Sequence, residues 1–92
     1  MEKQNENESS YPKGNPFAIN FTSADQLIHY PMVCYDSDNF SKIEEELFTE
    51  FPELKKKKNL YYIANGGIVD RSATIEKNKI KKGTNILINY SD

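Results

Sequence analysis

The chain has 92 residues, 28% of them charged and 37% hydrophobic, with a formal net charge of -2. That is one small domain with one core, burying roughly 60 to 65% of its unfolded surface. Such a charge balance gives no general pull toward nucleic acid or an anionic membrane, and no apolar stretch approaches the roughly 18 to 20 residues that span a bilayer.

The opening, MEKQNENESS, has no apolar segment, so no signal peptide is expected. Cys34 is the single cysteine, which rules out an internal disulfide. Both features point to a cytoplasmic or nuclear protein. The sequons at Asn7, Asn20, Asn39 and Asn89 are read as by-products of an Asn-rich composition. Residues 1–15 are too polar to offset the entropy of ordering them, and a disordered N-terminal tail is expected there, followed by one domain over 16–92.

From Phe17 the pattern turns to strand, with Phe17, Ile19 and Phe21 alternating with Ala18, Asn20 and Thr22. A short polar turn leads to a second strand over 27–35, with Tyr30, Met32 and Cys34 on one side and His29, Pro31, Val33 and Tyr35 on the other. Pro31 cannot donate to a ladder, so this strand belongs at a sheet edge or turns its missing donor outward. The segment Asp36-Ser-Asp-Asn39 offers capping side chains, and Phe40, Ile43, Leu47 and Phe51 then recur at helical spacing. This predicts a helix over 39–50, with Glu44, Glu45, Glu46 and Glu50 facing solvent and Pro52 ending it. Four lysines, Lys55 to Lys58, follow and are expected to form a solvated loop. Strands are predicted over 60–64, 68–70 and 85–90, the first two joined by a reversal at Asn65-Gly66-Gly67, where glycine and asparagine accept positive φ.

The stretch NLYYIANGGIVDRSATIEKNKIKKGTNILINY, from Asn59 to Tyr90, resembles the second half of ubiquitin. A glycine-containing turn at Gly66 is followed by Val69, by Thr74 with Ile75, by Ile80, and by a last strand carrying Ile86 and Ile88, in a register that needs no gap. The resemblance implies an α+β fold: a ubiquitin-like β-grasp, with a mixed sheet of four to five strands packed on one helix. The strand hairpin and helix of the first half agree with it. Conjugated modifiers and related sulfur carriers end in an activatable Gly-Gly, whereas this sequence ends Asn-Tyr-Ser-Asp, so a covalent tag is not expected.

Many ubiquitin relatives bind partners through an apolar patch on the exposed sheet face, built from an isoleucine, a histidine, a valine and a leucine. Carried over by register, these positions become Ile63, Leu87, Asn89 and Ala24. The isoleucine is kept, the histidine becomes an apolar Leu87, and the other two lose hydrophobic bulk. Alternation agrees on its own terms: if Ile86 and Ile88 face the core, Leu87 faces out. A one-residue slip in the strand at 60–64 would instead turn Tyr62 outward and Ile63 inward. The expected partner-binding set is Ile63, Leu87, Asn89, Ala24 and Tyr61, in a monomer that docks a protein, with a ubiquitin-receptor-like domain as one partner class.

No catalytic constellation surrounds the lone His29, Cys34 reads as an inward apolar position, and one Cys with one His is too few for a zinc site. Neither enzymatic activity, a cofactor nor a metal is expected. Two other readings use charge. One is a Ras-binding-like or PB1-like adaptor that uses Lys55, Lys56, Lys57 and Lys58 or the helix glutamates. The other, less favoured, is nucleic-acid binding through the same lysines, with a steep salt dependence.

Overall fold

The computed structural model describes residues 15–91, so the tail expected over 1–15 lies outside the described residues save Asn15. The elements are strand β1 (Phe17–Ser23), strand β2 (His29–Cys34), helix α1 (Phe40–Glu50), a 3-10 helix (Pro52–Lys56), strand β3 (Lys58–Ala64), strand β4 (Gly67–Ile68) and strand β5 (Asn85–Ser91). They form one sheet in the order β2-β1-β5-β3-β4. The central β1 and β5 run parallel and every other neighbour is antiparallel, so the sheet is mixed. Among the described residues no helix is long and apolar enough to cross a membrane.

One sheet face packs on α1. Ile19 and Phe21 of β1, Met32 of β2, Tyr62 of β3 and Ile86 and Ile88 of β5 meet Phe40, Ile43 and Leu47 of the helix, and all are buried. Three rings sit at the centre: Phe40 lies 5.0 Å from Tyr62 and 6.3 Å from Phe21 between centroids, in tilted contacts that suit the ring quadrupoles. The helix starts where the sequence provides a cap. Asn39 is extended, and its side chain accepts the Ser41 amide at 3.0 Å.

Two-residue hairpin chemistry sets the β3–β4 reversal. Asn65 and Gly66 take φ of 54° and 79°, the positive pair that a twist-matched tight turn requires, while Gly67 already pairs with Ala64. The stretch between β4 and β5 has no strand or helix but is closely held. Val69, Ile75 and Ile80 are buried in it. Asn78 accepts the Asp70 amide at 2.8 Å and donates to the carbonyls of Asp70 and Thr74. The Ile75 amide donates to Asp38 O at 2.8 Å, which ties the stretch to the N-terminus of α1.

Four sequence expectations need correction. The strand expected over 68–70 spans Gly67–Ile68 instead, because the two-residue turn already sets Gly67 opposite Ala64. Strand β2 begins at His29, not at residue 27: Leu27 sits in the preceding turn, 82% exposed, and Ile28 turns inward. The lysine run is not a loop, because Pro52 starts a 3-10 helix whose buried Leu54 anchors it, and Lys58 already belongs to β3. Glu44 is not a solvent residue. It is half-buried and accepts the Tyr62 hydroxyl at 2.8 Å, with Arg71 Nε 3.3 Å away. Burial and that acceptor push the Tyr62 phenol far above its ordinary pKa, so it stays a donor.

Candidate functional site

The sheet face turned away from α1 is the candidate site, and register decides what it presents. Ile63 pairs with Leu87 and with Ile68, Leu87 pairs with Thr22, and Thr22 pairs with His29. Paired residues project to the same side about 5 Å apart. A single row, His29-Thr22-Leu87-Ile63-Ile68, therefore crosses all five strands, with three aliphatic side chains contiguous at the β4 end. The slip considered from the sequence does not occur: Tyr62 is fully buried and Ile63 lies on the outer face.

A second row lies beside the first. Asn89 pairs with Tyr61, and Ala24 is tied to the same place by its amide, which donates to Ile88 O at 3.0 Å. Ile63, Leu87 and Asn89 are half-buried by their neighbours, Ala24 is exposed, and Tyr61 is 40% exposed. Asn89 Nδ2 is buried without a hydrogen-bond partner. Such an orphaned donor costs about 1 to 3 kcal/mol.

Position-by-position alternation missed the contribution of Ile68. It is 73% exposed and stands directly across the hairpin from Ile63. The signal was available, because a two-residue Asn-Gly turn fixes the pairs Ala64 with Gly67 and Ile63 with Ile68. The aliphatic row is thus displaced relative to the patch implied by resemblance: it keeps Ile63 and Leu87, gains Ile68 and lacks bulk at Ala24 and Asn89. Among the described residues paired into this face, Lys58, opposite Ser91 at one corner, is the one that carries a formal charge.

The lysines of the 3-10 helix do not join the row. Lys55 and Lys56 are exposed in its last turn, whereas Lys57 lies with Nζ 5.0 Å over the Tyr90 ring. Tyr90 in turn donates its hydroxyl to Asp25 Oδ2 at 2.5 Å, fastening β5 to the β1–β2 turn. Asp25 Oδ1 also accepts the Ser23 hydroxyl at 2.6 Å and the Leu27 amide at 3.1 Å. Led by the Ser23 bond, these donors hold the Asp25 carboxyl down at about 2. Cys34 is buried, and burial with Asp38 and Asp36 nearby pushes its thiol up to about 11, away from nucleophilic reactivity.

No family model matches the chain, and no curated protein matches it. Among solved structures it is similar to a de novo design based on ubiquitin, at 14% sequence identity and a TM-score of 0.70, over 84% of this chain and 90% of that one. At that identity the likeness speaks to architecture alone, and with the mixed sheet on one helix it establishes a ubiquitin-like β-grasp fold of the α+β class.

Proposed function

We propose that the protein is a non-catalytic, ubiquitin-like interaction module that docks a protein partner through the outer sheet face. The observation that carries this reading is the row Leu87-Ile63-Ile68, three aliphatic side chains brought side by side from three strands on a nearly uncharged face. Contiguous exposed apolar surface with a polar rim is the usual mark of an interaction site. Asn85, Asn89, Thr22 and His29 supply that rim. The partner class that best suits it presents an apolar ridge with uncharged flanks, and a ubiquitin-receptor-like domain is the first candidate to try.

The test is Leu87→Asp, measured by calorimetric titration against a panel of ubiquitin-receptor domains. The substitution places a charge at the centre of the row, so affinity should fall about tenfold or more while thermal unfolding stays cooperative. Unchanged affinity in a folded variant removes this face from the account. The charge-led reading through Lys55, Lys56 and Lys58 makes the opposite forecast, binding that weakens steeply between low and physiological salt.

A further inference from the structure

An open sheet has two edges, and an unpaired edge is a template onto which another chain can add a strand. At one edge, β4 is two residues long and offers little length. At the other, β2 offers six residues.

The direction of the β2 backbone groups follows from β1. The Asn20 amide donates to Thr84 O at 3.0 Å and the Ala24 amide to Ile88 O at 3.0 Å, so the even-numbered residues of β1 aim toward β5. Ser23 completes the alternation by donating to Ile28 O at 3.1 Å on the β2 side. Asn20 is the register partner of Pro31. A pair whose β1 member faces away is a non-hydrogen-bonded pair, so Pro31 also faces away from β1. His29 and Val33 share that parity and turn their amides to the open edge. One step further, the Tyr35 amide donates to Asp38 Oδ2 at 2.9 Å. Among the described residues β2 pairs with β1 alone, and the centre of its outer edge is thus the one position with no N–H. Phe51, at the end of α1, closes over Tyr30, with ring centroids 5.4 Å apart and planes at 83°. Both rings pack against the core on the inner side of β2 and leave its outward backbone groups to Pro31 and its neighbours.

We propose that Pro31 guards the β2 edge against strand addition by a second copy of this chain. An incoming antiparallel strand would bond at His29, Pro31 and Val33. At Pro31 its carbonyl meets the ring instead of a donor and is left buried and unpaired. The two remaining donors stand four residues, roughly 13 Å, apart and cannot hold a continuous ladder. The docking face plays no part in this, since strand addition engages backbone groups in the plane of the sheet and not side chains above it.

The experiment compares the full chain with Pro31→Val by sedimentation velocity over a range of concentrations. Valine restores the donor and suits a strand, so the variant should self-associate about tenfold or more tightly than the parent. A folded Pro31→Val variant that associates no more than the parent overturns the proposal. A second measurement leaves the native sequence intact. An alternating Thr-Val hexapeptide is titrated into the parent protein and followed by heteronuclear NMR. The His29 and Val33 amides should not respond, and saturable shifts at both would overturn the proposal even if the variant failed to fold.

Discussion

Asp25 shows how much of the turn between the first two strands rests on one side chain. It accepts from the Ser23 and Tyr90 hydroxyls and from the Leu27 amide, and its carboxyl sits at about 2 against an ordinary 3.8. A folded-state value below the unfolded one means that the unfolded chain binds the extra proton first. The stabilisation is therefore present above about 3.8 and is lost as pH falls toward about 2. Asp25→Asn keeps the shape and removes the ionised acceptor. Its melting temperature should lie below the parent's at neutral pH, and the gap should close as melts are taken from pH 4 down to pH 2. A gap independent of pH would mean that the carboxylate is not the stabilising species. None of this was legible in sequence, because Tyr90 lies 65 positions from Asp25 and no periodicity links them. The same holds for Glu44, which helical spacing places among solvent glutamates and which Tyr62 and Arg71 claim from across the core.

Elements were far more legible than side-chain partners. Period-two alternation located β1, the three-to-four spacing of Phe40, Ile43 and Leu47 located α1, and Pro31 pointed to an edge or an outward-turned donor in β2, because each signal depends on the chain's own geometry. Boundaries failed where a tertiary anchor decides them, as buried Leu54 does for the 3-10 helix. The start of α1 combines both kinds of cause. Asn39 caps the helix through Oδ1, which accepts the amide and hydroxyl of Ser41 at 3.0 and 2.7 Å. Its Nδ2 donates to Ser72 O at 3.0 Å, joining the helix start to the stretch before β5. Asn39→Ala should cost about 1 to 2 kcal/mol, read as a drop in melting temperature of about 4 to 8 °C for each kcal/mol. A melting temperature within a degree of the parent would show that the cap does not anchor this junction.

At the scale of the whole molecule, charge and apolar surface are separated. Exposed glutamates line α1 and exposed lysines the 3-10 helix and the stretch before β5, while the outer sheet face is almost uncharged and carries the aliphatic row. Two of the row's three members, Ile63 and Leu87, were legible from alternation and the ubiquitin-like register. Ile68 was not assigned a face, because a two-residue strand is too short to show a period of its own. The most direct test of the docking face is a heteronuclear NMR titration of the domain with ubiquitin-receptor domains at low and physiological salt, read at every backbone amide. The proposed function requires saturable shifts centred on Ile63, Leu87 and Ile68 that persist at physiological salt. Shifts confined to Lys55, Lys56 and Lys58 that vanish as salt rises, or no response across the row from any receptor, would contradict it.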